Sequence, residues 1–359
     1  MSNLFKANCL PLLIGSIPLK DHYQATDLVL QYTPEIPLWV QLPLYKNEGM
    51  LAQFLPGMPG YTNDNQATEY IDTDSPDFEN DLLHFYEEYM AVADTDNSLD
   101  TTRFVLSQDR AKGFFVLMDV LDQRQQAPLA LKGQITGPIT FATGVKDQNK
   151  RAIFYDEQLR DAAVKLLALK ARWQLENLAR LSLPVIIFFD EPALAGFGSS
   201  EFISISKDDV LQCFSEVINQ VHSGGGLAGV HVCANADWSL ILDSEADILS
   251  FDAYYYFEKL LLYSEALQKF LNSGGIIAWG IVPTSDSQDI AQETTESLYN
   301  QFQDKISQLQ KMGLKKDQLL SQSFITPSCG TGSLTSDQAE KVLRLTNELA
   351  SKVRQEFDL

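Results

Sequence analysis

A histidine and a cysteine lie two residues apart at the end of an apolar run, in Gly229-Val230-His231-Val232-Cys233. Residues i and i+2 of a strand point to the same face, so His231 and Cys233 present an imidazole and a thiol side by side. A second thiol, Cys329, follows another short apolar run further along the chain. One histidine and two cysteines supply three of the four tetrahedral ligands of zinc, and an open fourth position distinguishes a catalytic from a structural site. A lone residue of either type is more often packed in a core, but three at one face favour a metal site.

Two carboxylates, Asp190 and Glu191, follow the very apolar run 185–189. A carboxylate there is costly unless a cation or a hydrogen-bond donor meets it, so Asp190 is a candidate to bind a substrate ammonium group. The alternative is that Asp190 only caps the following turn. Asp252 ends a later apolar run and is expected to be a fourth metal ligand, a residue that contacts a ligand, or a strand-end cap. The other polar residues at predicted strand ends are Ser16, Gln41 and Thr136.

Short apolar runs alternate with long amphipathic patterns, which predicts βαβ units, a parallel sheet and an α/β fold. Eight runs are predicted strands, the number that closes a (β/α)8 TIM barrel, whose catalytic residues lie at the carboxyl ends of the strands. The predicted strands are 12–16, 38–42, 129–135, 185–190, 227–233, 248–252, 276–281 and 323–326. The predicted helices are 152–181, 205–222, 256–272, 290–312 and 335–356, the last with a capping box formed by Thr335 and Gln338.

The segment 43–128 interrupts this alternation because it is too long for one connection between a strand and a helix. It is acidic and rich in aromatic residues. We therefore predict one barrel domain over 1–359, with a helical insertion at 43–128, between the second and third strands, near the mouth of the barrel.

The chain has 359 residues, of which 45% are hydrophobic and 21% charged, so it can bury a sizeable core. Its formal net charge of −21 repels phosphate backbones and anionic membranes, which argues against nucleic acid and membrane partners. The first residues lack an export signal, and no apolar run reaches the roughly 18 residues of a membrane span, so the sequence predicts a cytoplasmic protein. Four cysteines are too few for a disulfide framework, and Cys9 and Cys213 are predicted packing residues.

Six short motifs resemble, in order, landmarks of the C-terminal catalytic barrel of cobalamin-independent methionine synthase. The resemblance covers nearly the whole chain apart from 43–128. The same superfamily includes uroporphyrinogen decarboxylase and methylcobalamin:coenzyme M methyltransferases. The motifs are Ile14-Gly15-Ser16-Ile17-Pro18, Thr136-Gly137-Pro138-Ile139-Thr140, Asp190-Glu191-Pro192-Ala193-Leu194, His231-Val232-Cys233, Ala246-Asp247-Ile248-Leu249-Ser250-Phe251-Asp252 and Pro327-Ser328-Cys329-Gly330.

This resemblance implies a zinc-dependent methyltransferase that activates a small thiol, with homocysteine favoured. Zinc lowers the pKa of the thiol, and the thiolate then attacks an activated methyl group. The implied zinc ligands are His231, Cys233 and Cys329, with Asp252 at the position of the family's zinc-binding glutamate. The implied substrate-binding residues are Asp190 and Glu48 at the amino group, Ser16 at the carboxylate, and Thr136. Asp190 and Asp252 are the expected catalytic residues.

Two departures from the family pattern affect the methyl donor and the metal. Phe141-Ala142-Thr143 replaces the tryptophan expected to stack on folate, and Asp252 is one methylene shorter than glutamate. We therefore expect the donor to be a methylated corrinoid, either methylcobalamin or the methyl form of a corrinoid protein.

Three alternatives to this function remain. In the first alternative, the methyl acceptor is coenzyme M or another small thiol. The second is a decarboxylase, which needs an arginine clamp near the N-terminus, but the first 45 residues contain no arginine. In the third, the barrel is a non-catalytic scaffold that binds zinc or a corrinoid protein.

Overall fold

The computed structural model describes residues 5–63, 68–93, 95, 97–199, 202 and 204–359. Positions 64–67, 94 and 96 of the predicted insertion 43–128 lie outside the described residues. Among the described helices, none combines the length and the hydropathy that a bilayer span needs.

Strands alternate with helices along most of the chain. The strands are β1 (Leu10–Pro11), β2 (Tyr61–Asn63), β3 (Glu69–Ile71), β4 (Leu131–Thr136), β5 (Val185–Asp190), β6 (Leu227–Val232), β7 (Ile248–Phe251), β8 (Ile276–Val282) and β9 (Ser323–Pro327). The α-helices are α1 (His22–Tyr32), α2 (Phe78–Val92), α3 (Lys112–Asp122), α4 (Pro138–Gly144), α5 (Glu157–Ala179), α6 (Lys207–Ser223), α7 (Ser239–Leu242), α8 (Ala253–Leu260), α9 (Ser264–Asn272), α10 (Ser287–Gln292), α11 (Thr295–Lys311), α12 (Lys316–Ser321) and α13 (Ser336–Glu356).

A curled parallel sheet forms the centre of the fold. Within the described residues it has seven strands in the order β1-β9-β8-β7-β6-β5-β4, and every neighbouring pair is parallel. All residues of β4, β5, β7, β8 and β9 are buried. Helices and interior side chains cover both faces of such a sheet, which is why β5, β7 and β8 are nearly continuous apolar runs in the sequence. The predicted α/β fold with a parallel sheet is confirmed.

The prediction of a closed eight-stranded barrel is wrong, because the segment 38–42 does not form a regular strand. It makes only isolated parallel bridges, between Gln41 and Ser16 and between Leu38 and Lys132. These bridges place the segment in the gap between the two edges of the seven-stranded sheet. A proline flanks the segment at each end and cannot donate a ladder hydrogen bond, which explains the short pairing.

The other predicted boundaries differ less from the structure. The first predicted strand, 12–16, is displaced, since the regular ladder of β1 ends at Pro11 and pairing resumes only at Ser16. The six remaining predicted strands overlap β4 to β9, and their ends differ by at most two residues. The predicted capping box of α13 is confirmed, because the Thr335 side chain accepts from Gln338 N.

Two predicted helices are each divided in two. The segment 256–272 contains the end of α8, a 3-10 turn at Leu261–Tyr263, and α9. The segment 290–312 contains the end of α10 and all of α11. The second break has a local cause, because the Thr294 side chain accepts from Ser297 N and forms a capping box that starts a new helix.

The segment 43–128 contains the antiparallel hairpin β2-β3 and helices α2 and α3. Helix α3 covers the 38–42 segment, where the rings of Phe114 and Trp39 meet edge to face. Gly113 permits this approach, since a Cβ there would lie 2.0 Å from the Val40 carbonyl oxygen. The last helix of the predicted insertion therefore packs on the wall of the sheet.

Gly113→Ala is expected to destabilise the protein by about 1 to 3 kcal/mol, because the added methyl group overpacks a contact with backbone. The free energy of unfolding in urea measures this effect. Lys112→Ala is the control, since Lys112 is exposed on the same turn and its loss should change stability by less than about 0.5 kcal/mol. Equal stability of the two variants would show that α3 can shift without cost.

Candidate metal centre

Three metal-binding side chains meet at the carboxyl ends of β6 and β9. His231 lies in β6, Cys233 follows that strand directly, and Cys329 follows β9 by two residues. One ligand atom from each of these residues lies within 4.8 Å of the other two. Tetrahedral zinc bonds of about 2.0 to 2.3 Å place ligand atoms about 3.3 to 3.8 Å apart, so the three atoms can share one ion after inward shifts of about 1 to 1.5 Å.

The ring of His231 is held at one nitrogen only. Nδ1 lies 2.9 Å from the hydroxyl oxygen of Ser250, and the whole residue is 3% exposed. Nε2 is buried and has no hydrogen-bond partner within the part of the chain that the structure describes. Buried polar atoms are rarely left without partners, and metal-binding histidines commonly donate their other N–H to a neighbour. The ring therefore fits a metal ligand that binds through Nε2.

The two thiols of the cluster affect each other's ionisation. The pKa of Cys233 is lowered because the Cys329 thiol donates a hydrogen bond to it and His231 faces it. The pKa of Cys329 is raised by the same hydrogen bond and by burial. One thiolate is thus stabilised before the other forms, and thiolates are the form in which cysteine binds metal.

A cavity of about 320 Å³ opens beside the cluster. All three cluster residues contribute to its wall, so an ion held there faces a space large enough for a small molecule. The other lining residues are Ile14, Ser16, Gln41, Pro43, Glu48, Met50, Thr136, Asp190, Pro192, Gly330, Gly332 and Ser333.

Three predicted substrate-binding residues line this cavity with different hydrogen-bonding capacity. Asp190 Oδ1 is buried and has no hydrogen-bond partner among the described residues. Ser16 Oγ accepts from Gly332 N at 3.1 Å, which leaves its own O–H able to donate. Thr136 donates its hydroxyl to the Met50 carbonyl oxygen at 2.6 Å, so it can only accept from a ligand.

Burial raises the pKa of Asp190 to about 6, while the positive charges of His231 and Lys132 act to lower it. Lys132 is fully buried inside the sheet, and burial lowers its own pKa to about 7. Its amine nitrogen donates to the Ile14 carbonyl oxygen at 2.5 Å and lies over the ring of Phe188. Asp190 is therefore mainly ionised at neutral pH and presents a carboxylate oxygen that lacks a donor.

Glu48 also lines the cavity, but both of its carboxylate oxygens have partners. Oε1 lies 2.6 Å from Nε2 of His22, and Oε2 accepts from Leu42 N at 2.9 Å. Glu48 and His22 are 5% and 4% exposed. A substrate that bound Glu48 would have to share an oxygen with one of these donors.

The predicted fourth ligand, Asp252, is not part of the cluster. Its carboxylate instead caps α8, where Oδ1 accepts from Tyr255 N at 2.9 Å. Burial raises the pKa of Asp252 to about 7. Of the three interpretations of Asp252 from the sequence, the strand-end cap matches its hydrogen bonds.

The adjacent carboxylates Asp190 and Glu191 have different roles. Glu191 is fully buried and accepts from Ile139 N at 2.9 Å and Thr140 N at 2.8 Å, so it caps α4. A Cβ at Gly137 would lie 2.3 Å from the Glu191 carboxyl group, which is why glycine is required before this helix. Glu191 therefore has a structural role at the start of α4, whereas Asp190 faces the cavity.

Ser250 was not among the predicted site residues. The register of β6 with β7 pairs it with His231, and a sequence alone does not give the register of two strands. The nearest signal was its position in the Ala246-Asp247-Ile248-Leu249-Ser250-Phe251-Asp252 motif.

Ser250→Ala is expected to weaken zinc binding by about 10- to 100-fold, because His231 loses the hydrogen bond that fixes its ring. Zinc affinity measured by competition with a chelator checks this expectation. Ser244→Ala is a matched control outside the cavity. Identical affinities in both variants would mean that the Ser250 hydroxyl does not orient the ring.

No family model and no curated protein sequence matches this chain. A solved structure from Shewanella sp. W3-18-1, a B12-independent methionine synthase in complex with selenomethionine, has a similar fold. The TM-score is 0.56 and the sequence identity is 16%, and the match covers 97% of this chain and 99% of that chain. At this identity the similarity shows the fold alone, so this chain has an α/β fold similar to that of a methionine synthase over nearly its full length.

Proposed function

We propose that this chain is a zinc-dependent methyltransferase that methylates the sulfur of a small thiol, with homocysteine as the favoured acceptor. The observation that carries the proposal is the cluster of His231, Cys233 and Cys329 in the wall of a cavity of about 320 Å³. Three protein ligands leave one tetrahedral position for the acceptor, which is the arrangement of catalytic zinc sites.

When bound, zinc lowers the pKa of the acceptor thiol and so keeps its sulfur as a thiolate at neutral pH. Ser250 orients His231, and Cys233 and Cys329 supply negative charge that keeps the sulfur electron-rich. Asp252, which caps α8, adds negative charge only in its ionised fraction, because burial raises its pKa to about 7.

The methyl transfer is an in-line displacement. The thiolate sulfur attacks the methyl carbon after the thiol proton has passed to solvent. The S–C bond forms as the bond between the methyl carbon and the donor breaks, and the donor leaves with that electron pair. For a methylcorrinoid the leaving group is cobalt(I), so no covalent enzyme intermediate is required.

The wall of the cavity favours an amino-acid acceptor over a sulfonate. Asp190 offers an ionised oxygen without a donor, which suits an ammonium group. No lysine or arginine is among the described residues that line the cavity, whereas a sulfonate prefers a cation. The protein from Shewanella binds selenomethionine, which is methionine with selenium in place of sulfur, and methionine is homocysteine with a methylated sulfur.

We propose a methylated corrinoid as the methyl donor, either methylcobalamin or the methyl form of a corrinoid protein. Phe141, which follows the Thr-Gly-Pro turn, is fully buried in the core, and His231 contributes the only aromatic ring among the described lining residues. The cavity therefore lacks the aromatic platform on which a pterin stacks. Because the similar protein is named B12-independent, methyltetrahydrofolate is the second donor in the test.

The test incubates zinc-loaded protein with homocysteine and methylcobalamin, and follows the corrinoid spectrum and methionine formation. We expect demethylation that requires both zinc and thiol. Methionine formed only from methyltetrahydrofolate would refute the donor but keep the enzyme class. If neither donor methylated homocysteine or coenzyme M while zinc stayed bound, the chain would be a scaffold.

A further inference from the structure

A chain of hydrogen bonds fixes the side-chain amide of Gln41 in the cavity wall. The chain begins at the backbone carbonyl of Arg110, which can only accept, and Gln53 Nε2 donates to it at 2.6 Å. Gln53 therefore turns its oxygen toward Gln41, and Gln41 Nε2 donates to that oxygen at 2.6 Å. Because the NH₂ group of Gln41 points toward Gln53, the side-chain carbonyl oxygen of Gln41 points away from Gln53.

The start of this chain is itself firmly held. Arg110 is 6% exposed, and its guanidinium donates to the Ala52 carbonyl oxygen at 2.7 Å and to Glu69 at 2.6 Å. Gln53 is 1% exposed and lies in the turn next to Ala52. The hairpin β2-β3, which carries Glu69, thus fixes a side chain in the cavity wall.

The carbonyl oxygen of Gln41 lies beside Gly15, where it would be 2.7 Å from a Cβ. No donor meets this oxygen within the described residues. A side chain at Gly15 would clash with the oxygen in this position, so the glycine permits this orientation of Gln41. The wall from Gln41 through Thr136 to Asp190 therefore presents hydrogen-bond acceptors that lack a donor.

We propose that Gln41 determines acceptor specificity, because its fixed carbonyl oxygen binds the ammonium group of an amino-acid thiol together with Asp190. This inference rests on the proposed function and names the acceptor class. Glu48 is less suited to this role because His22 and Leu42 N already occupy its oxygens. Gln41 thus supplies a second, neutral hydrogen-bond acceptor to a cavity wall that already holds the carboxylate of Asp190.

The test compares two thiols that differ only at the amine, homocysteine and 4-mercaptobutanoate. Their dissociation constants are measured by calorimetry on the zinc-loaded protein, without a methyl donor. Wild type is expected to prefer homocysteine. Gln41→Met should reduce this preference by about tenfold through weaker homocysteine binding, with 4-mercaptobutanoate unaffected. Gln108→Met makes the same change at an exposed position outside the cavity and should keep the preference.

A second variant tests the orientation. Gln53→Met leaves Gln41 in place but allows its amide to rotate, so it should also reduce the preference for homocysteine. If Gln41→Met kept the full preference of wild type, the inference would be wrong while thiol activation would stand. Equal binding of both thiols to wild type would refute the inference and the preference for an amino-acid acceptor, while thiol activation would stand. If zinc-loaded wild type bound neither thiol, the proposed function would fail as well.

Discussion

Cys329→Ser is expected to abolish zinc retention and methyl transfer while the fold persists. Cys329 supplies one of the three cluster ligands. Loss of a hydrogen bond that orients a ligand weakens metal binding by up to about 100-fold, and loss of the ligand itself should weaken it more. The residue lies in a loop after β9, outside the sheet ladder, so the metal-free stability should change by about 1 kcal/mol or less. Zinc content after dialysis and urea unfolding of the metal-free protein are the two measurements.

The matched control for this variant is Cys213→Ser, which changes a buried thiol in α6. It should keep the zinc content and the activity of wild type. A Cys329→Ser protein with the full zinc content would contradict the three-ligand assignment.

Asp190→Asn is expected to weaken homocysteine binding by about 30-fold or more, because it removes the buried negative charge that meets the ammonium group. Zinc content should not change, since Asp190 is not part of the cluster. Binding of 4-mercaptobutanoate, which has no amine, should change little. Calorimetry with both thiols measures the two effects.

Asp122→Asn, at the exposed end of α3, is the control for charge removal and should leave both affinities unchanged. If Asp190→Asn kept the homocysteine affinity of wild type, the amino group of homocysteine would not bind at Asp190.

The sequence predicted the position of the candidate centre well, for a physical reason. Apolar runs that end in polar residues mark buried parallel strands, and the ends of such strands lie at one edge of the sheet. His231 and Cys233 could therefore be expected to meet Cys329, although Cys329 comes 96 positions after Cys233 in the chain. The same pattern predicted the position of Asp190, which lines the cavity.

The parts that the sequence did not predict depend on contacts between distant segments. The hydrogen bond of Ser250 to His231 needs the register of β6 with β7. The pairing of Glu48 with His22 needs the packing of α1 against the 43–50 loop. The irregular 38–42 segment reflects competition between strand propensity and flanking prolines, which periodicity alone does not resolve.

The most direct test of the account is X-ray absorption at the zinc edge of the loaded protein, before and after addition of homocysteine. We expect one zinc per chain, with two sulfur ligands at about 2.3 Å and at least one nitrogen ligand, and a third sulfur after homocysteine is added. A first shell of nitrogen and oxygen alone, or a sulfur count that homocysteine leaves at two, would contradict it.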